Sequence, residues 1–312
     1  MTTAAVSRTR AWVMAARPQT LPAAAAPVIV GTGLAIHEGL FAPLPALMAF
    51  VGAALIQIGT NFANDYYDAI KGADTEDREG FTRVTQSGLI PPERVKLATI
   101  VTFGLAILSG TYLVYVGGLP ILVIGLVSVF CGWAYTGGPY PLGYHGLGDV
   151  FVFVFFGVVA VMGTFYVQAA AVLANPLTTT IPSGTVTIDA FVASLPIAGI
   201  STAILVVNNV RDRETDAVTG KRTLAVRFGY RWSRVEYVSL LGLAYVVPVW
   251  FWLARDYGLT VFLPLLSLPY AAMVMRTVLT RTDGRALNPA LEQTGKLLVL
   301  YAVLFALGLI IT

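Results

Sequence analysis

Residues 43–74 read PLPALMAFVGAALIQIGTNFANDYYDAIKGAD, and residues 188–221 read IDAFVASLPIAGISTAILVVNNVRDRETDAVTGK. Each begins with an apolar run long enough to span a bilayer, which takes roughly 20 residues. Each ends in a cluster of Asn and Asp. In the second cluster Asn208, Asp212 and Asp216 stand four apart, a spacing that puts all three on one face of a helix. In the first, Asn64 and Asp68 share a face in the same way, Asn61 and Asp65 form a parallel row, and Asp74 follows after Gly72. Aligning Asn64 and Asp68 with Asn208 and Asp212 leaves two extra residues before Asp74 relative to Asp216. The result is a weak internal repeat, 61–74 against 208–216, of the long-period kind found in membrane proteins that build a site between repeats.

The rest of the chain has the same character. Of 312 residues, 56% are hydrophobic and 12% charged, where a soluble domain carries about 25% charge, and the mean hydropathy is +0.75. Nine candidate spans lie near residues 20–37, 43–64, 95–116, 119–135, 150–173, 188–210, 235–254, 258–279 and 293–312. The fold expected is all-α, a polytopic membrane protein of nine transmembrane helices forming a single domain over residues 1–312. The basic N-terminal segment leads into further spans, so it reads as a retained first helix rather than a cleaved signal. With this count, 19 of the 20 Lys and Arg fall on one side and Arg255 alone on the other. That asymmetry predicts a cytoplasmic N-terminus, an external C-terminus and both Asp clusters near the cytoplasmic face of the cell's inner (plasma) membrane. The net charge of +3 belongs to these loops, not to a nucleic-acid surface. Cys131, the only cysteine, excludes an internal disulfide and a cysteine-based metal site.

Two facing rows of carboxylates repel unless a cation stands between them. Oxygen ligands without His or Cys favour Mg²⁺. Because Mg²⁺ shares its shell with substrate phosphates, the substrate expected is a diphosphate. Arg83 in FTRVTQSG, with Lys221 and Arg222 in TGKRTLAVRFG, could neutralise a departing diphosphate. The stretch YTGGPYPLGYHGLGD, residues 135–149, is too rich in Gly and Pro for a regular helix. It could cap the site, with Tyr135, Tyr144, His145 and Asp149 touching an aromatic acceptor.

These motifs resemble the paired Asp-rich motifs of the UbiA superfamily of intramembrane prenyltransferases, over nearly the whole chain. NDYYDAIKGAD, RVTQSG, the TGGP…GLGD loop and the late Asp74 are most similar to its 1,4-dihydroxy-2-naphthoate branch, in menaquinone biosynthesis. The resemblance implies that Asn64, Asp68, Asp212 and Asp216 hold Mg²⁺ and diphosphate, assisted by Asp65, Asp74 and Asn208. It also implies transfer of a long prenyl chain from a polyprenyl diphosphate to 1,4-dihydroxy-2-naphthoate, with loss of CO₂. The competing readings are a branch using 4-hydroxybenzoate or homogentisate, and a transporter, whose sites tend to lie nearer the midplane. A CDP-alcohol phosphotransferase would need a D-G-x-x-A-R motif that the chain does not contain.

Overall fold

The computed structural model describes residues 6–72 and 83–312, so Asp74 lies outside the described residues. Every element among them is helical. In chain order these are α1 (Arg8–Ala16), α2 (Pro22–His37), α3 (Pro43–Ile70), α4 (Pro92–Ala134), α5 (Gly148–Leu173), α6 (Ile188–Arg211), α7 (Arg213–Val218), α8 (Leu224–Arg255), α9 (Leu259–Thr280) and α10 (Gly284–Ile311). The starts follow local chemistry. Proline occupies the first turn of α2, α3 and α4, where no backbone N–H is needed. Thr187, Thr223 and Asp283 cap α6, α8 and α10 by accepting from the amides of Ala190, Val226 and Ala286.

Among the described residues seven helices are long and apolar enough to cross a membrane, or eight with the bent α1–α2 pair taken as one span. One of the seven, α4, has 43 residues. At about 1.5 Å per residue it would be roughly twice as long as a hydrocarbon core is thick. It breaks at Gly118, whose φ of 69° and ψ of −156° are not helical. The segment between α5 and α6 closes over this turn, the Leu119 amide donating to the Thr178 carbonyl and the Leu177 amide to that of Tyr115. A Cβ at Gly118 would lie 1.9 Å from the Thr178 oxygen, so only glycine fits. Divided there, and with the α1–α2 pair taken as one span, the described residues offer about nine spans, close to the count expected from hydropathy.

Helix α6 is the most enclosed, with 78% of its apolar window buried. It packs against α8, α10, α5 and α2. Glycines permit the close approaches: a Cβ at Gly157 would stand 2.1 Å from the Ala198 Cβ, and one at Gly199 would stand 2.6 Å from the Leu240 carbonyl. Phe165, Ile197, Tyr237, Tyr301 and Phe305 fill the surrounding core. This leaves the C-terminal ends of α3 and α6, which carry the two polar clusters, at one end of the bundle beside the 135–149 loop.

Candidate active site

Asn64 and Asp68 lie in the last two turns of α3. Helix α6 ends at Arg211, and Asp212 breaks it with φ −91° and ψ 5° before α7 begins. The four-residue rhythm survives the break: the Asp212 amide donates to the Asn208 carbonyl and the Asp216 amide to that of Asp212. Asn208, Asp212 and Asp216 therefore stay on one face. The two faces meet across a polar cavity of about 240 Å³ lined by Asn64, Asp68, Arg83, Tyr135, Tyr144, Asn208, Asp212, Asp216 and Lys221, together with Arg17, Thr136 and Arg211.

Asp68 is the hub. Its Oδ2 accepts from Arg83 Nη2 at 3.0 Å and its Oδ1 from the Tyr144 hydroxyl at 2.6 Å. Lys221 Nζ lies 3.8 Å from Asp68 and 3.9 Å from Asp216, so one ammonium spans both motifs. The same ammonium sits 4.9 Å from the centre of the Tyr144 ring, and that of Lys71 sits 5.3 Å from it. Lys71 also donates to the carbonyl of Thr136 at 2.6 Å, and the Thr136 hydroxyl donates to Asn64 at 2.8 Å. Burial pushes the Lys71 ammonium below its ordinary pKa, with Asp68 acting in the opposite direction. The Arg222 amide donates to the Tyr144 carbonyl, which ties the 135–149 loop to the segment carrying Lys221.

Asp212 is neutralised by its neighbour in the chain. Arg211 donates to its two carboxylate oxygens, each at 2.7 Å, and also to Asn208 at 2.7 Å and Asn288 at 2.9 Å. The positive charge that two facing acidic motifs require is thus supplied by Arg83, Lys221 and Arg211.

Other sequence candidates stand apart from the cavity. Asp65 is buried and accepts from the amide and hydroxyl of Thr85 at 3.1 and 2.7 Å, with Arg17 at 3.8 Å. Its row-mate Asn61 donates to Ala16 and Thr20, so this row fastens α1 and the 83–90 turn to α3. His145 stacks on Tyr140, ring centres 3.7 Å apart, and the Arg222 side chain is exposed. Asp149 is buried with both carboxylate oxygens unpartnered, and it lines neither this cavity nor the apolar one. Sequence reasoning treated Arg211 and Lys71 only as topology markers. Lys71 stands three residues after Asp68 and seven after Asn64, a spacing that shares their face and could have revealed it.

Among the described residues no three of His, Cys, Asp and Glu converge to hold a metal by themselves. The cavity's donors are oxygens divided between two helices, with a cation already seated between Asp68 and Asp216. This arrangement fits a Mg²⁺ whose shell is completed by phosphate oxygens rather than one held in an all-protein cage.

Beside the polar cavity lies an apolar one of about 370 Å³ between α2, α3, both halves of α4, and α5. Ala23, Tyr135, Val152 and Phe156 line both, so a charged head and an apolar tail can be held together.

Residues 24–300 match the model of the UbiA prenyltransferase family. The chain belongs to this family. It is 40% identical to the 1,4-dihydroxy-2-naphthoate octaprenyltransferase of Escherichia coli K12 over 319 residues, covering 100% of this chain and 99% of that one. The fold is shared with the apo structure of a UbiA homologue from Aeropyrum pernix K1, with a TM-score of 0.70 at 10% identity over 89% of this chain and 94% of that one. It is also shared with an Archaeoglobus fulgidus homologue bound to DMAPP and Mg²⁺, with a TM-score of 0.60 at 14% identity over 94% and 98%.

Proposed function

We propose that this chain, as a single domain over residues 1–312, transfers a long prenyl group from a polyprenyl diphosphate to 1,4-dihydroxy-2-naphthoate in menaquinone biosynthesis. The observation that carries the reading is the shared wall at Tyr135, where the polar cavity with both Asp motifs lies against an apolar cavity. An amphipathic diphosphate fits that pair, its head among Arg83, Lys221 and the carboxylates and its tail between the helices. The naphthoate acceptor is supported by the name of the Escherichia coli relative.

Mg²⁺, shared by Asn64, Asp68, Asp212 and Asp216 with the diphosphate oxygens, and with Asp74 as a further donor, would offset the charge that builds on the leaving group. Arg83 and Lys221 turn from Asp68 to the diphosphate as the carbon–oxygen bond breaks and its electron pair departs with the diphosphate. Asn208 orients that head, and Asp65 acts at one remove by holding the turn that carries Arg83. Tyr135, Val152 and Phe156 shield the allyl cation from water. The ring carbon bearing the carboxylate attacks the cation; the bond to the carboxylate then breaks, releasing CO₂ and returning its electron pair to the ring. Prenylated naphthoquinol, CO₂ and diphosphate balance the reactants. Tyr144 serves this reaction by holding Asp68. The 135–149 loop that carries it, with His145 stacked on Tyr140 and the Arg222 amide tying it to the Lys221 segment, covers the acceptor. Asp149 lines neither cavity and has no direct part.

The deciding experiment supplies dihydroxynaphthoate and 4-hydroxybenzoate in competition, with one prenyl diphosphate, with and without Mg²⁺. Mass spectrometry should find the decarboxylated prenyl naphthoquinol, only with metal. A product that keeps its carboxylate, or a preference for 4-hydroxybenzoate, would move the chain to another branch of the family, and transport without diphosphate release would remove it from enzymes altogether. We also propose that the site faces the cytoplasm at the inner membrane, with the N-terminus inside. Thr219→Cys should then resist an impermeant thiol reagent in intact cells and react in inverted vesicles.

A further inference from the structure

Five helix glycines line the apolar cavity: a Cβ at Gly52 or Gly132 would meet Ser109 or Thr60, which leaves Gly110 in the first half of α4, Gly125 in its second half and Gly163 in α5. Glycine is entropically costly within a helix, and membrane helices commonly use it where two backbones pack closely. Gly33 does so here, since a Cβ there would stand 2.7 Å from the Cβ of Ala306. Gly110, Gly125 and Gly163 do not. A Cβ at any of them would meet nothing within 4 Å. What their missing side chains leave open is the cavity. Thr60 lines the same cavity one turn before Asn64, and its hydroxyl is buried without a hydrogen-bond partner. The cavity reaches the membrane-facing surface at Ile107, Leu122, Ile124 and Leu126, all exposed.

We propose that Gly110, Gly125 and Gly163 are specificity-determining residues that set the girth and length of the tail the enzyme accepts, an inference that rests on reading the apolar cavity as the prenyl site. Every isoprene unit carries a methyl branch, so a polyprenyl chain is wider than a straight acyl chain. Leucine at any of the three positions would project into its path.

The test replaces each glycine singly by Leu, with Ala at the same positions as milder variants in case a Leu variant does not fold. Gly104→Leu is the control: Gly104 lies in the same helix as Gly110 and also meets nothing within 4 Å, but it is exposed and lines no cavity. The kcat/KM for geranylgeranyl diphosphate should fall about tenfold or more in the Leu variants, less for geranyl diphosphate, and less in the Ala variants. Inhibition by inorganic diphosphate, which has no tail, should stay unchanged, and Gly104→Leu should match the parent. Unchanged use of the long substrate, or weakening of inorganic diphosphate in step with it, would overturn the assignment; the former is the result expected if a bilayer acyl chain is what occupies the cavity. Failure of the functional reading itself looks different, because the parent protein would then turn over neither prenyl diphosphate.

Discussion

The two acidic motifs occupy equivalent places at the ends of α3 and α6, yet they are neutralised in opposite ways. Asp68 is held from a distance: Arg83, Tyr144 and Lys221 come from separate loops and converge on one carboxylate. Asp212 is held from next door, by a guanidinium one position earlier that grips both its oxygens. Helix geometry explains the contrast. Helix α3 runs on to Ile70, so Asp68 faces the loops that converge on it, whereas α6 ends at Arg211, whose side chain turns onto Asp212 at the break. The first motif is therefore a place where loops can exchange partners when substrate arrives. The second is a pre-set half-site.

The largest expected effect treats the motifs alike. Asp68→Ala and Asp212→Ala should each lower kcat by at least about a hundredfold, since each removes a group that stabilises charge on the leaving diphosphate. Turnover by the purified, folded variants checks this. Near-normal activity in either would break the symmetry of the two motifs. Asp65→Asn should spare kcat far more, because Asp65 lies outside the cavity.

Stability should then separate them. The side chains of Arg211 and Asp212 are 1% and 5% exposed. Removing one partner of a buried ion pair costs about 3–5 kcal/mol, so Arg211→Ala should lower the unfolding temperature in detergent markedly. Arg83→Ala should lower it less, because Lys221 and Tyr144 remain beside Asp68, and its main cost should be a higher KM for the prenyl diphosphate. Equal thermal losses would mean that the local and distant modes of pairing do not differ in kind.

How much of this was legible in the sequence follows from distance along the chain. The nine apolar segments, including the break between residues 116 and 119, could be read from hydropathy. The shared faces of Asn64 with Asp68, and of Asn208 with Asp212 and Asp216, could be read from their spacing. Spacing alone does not say which of two parallel rows faces the cavity, so Asp65 and Asp68 looked equivalent until the Thr85 turn was seen to take Asp65. Long side chains can pair with the next residue, as Arg213 does with Glu214 inside α7, but the sequence does not announce that Arg211 turns onto Asp212 at the end of α6. Tyr144 and Lys221 meet Asp68 across 76 and 153 positions, and only packing brings them there. His145 stood beside Tyr144 in the same reading, but its ring turns to Tyr140 instead.

Tyr144→Phe sharpens the comparison at smaller scale. It deletes one bond of 2.6 Å to Asp68 and keeps the ring beneath Lys221 and Lys71. A hydrogen bond to a charged group contributes about 1.5–3 kcal/mol, but the other partners of Asp68 persist, so kcat/KM should fall by roughly tenfold, nearer the lower bound. A loss as large as that of Asp68→Ala would mean that the hydroxyl takes part in the chemistry rather than positioning the carboxylate.

The smallest effect concerns Lys71, one turn beyond Asp68. Burial lowers its pKa, and the charge of Asp68 only partly offsets this. A lysine whose pKa is lower in the folded protein than in the unfolded chain costs stability while it is charged in both states. That cost is present in full below the folded-state pKa. It is relieved as pH rises from that lowered value toward the ordinary 10.5, because over this window the folded protein sheds a proton that the unfolded chain still holds. Lys71→Met removes the titrating group. Relative to the parent, the variant should lose this upward contribution on the alkaline side in an unfolding-temperature series against pH, while near neutrality it loses the bonds to the Thr136 and Gly138 carbonyls. If the two alkaline limbs run parallel, the ammonium is solvated in solution, and the first motif is then more open than the second on this side as well.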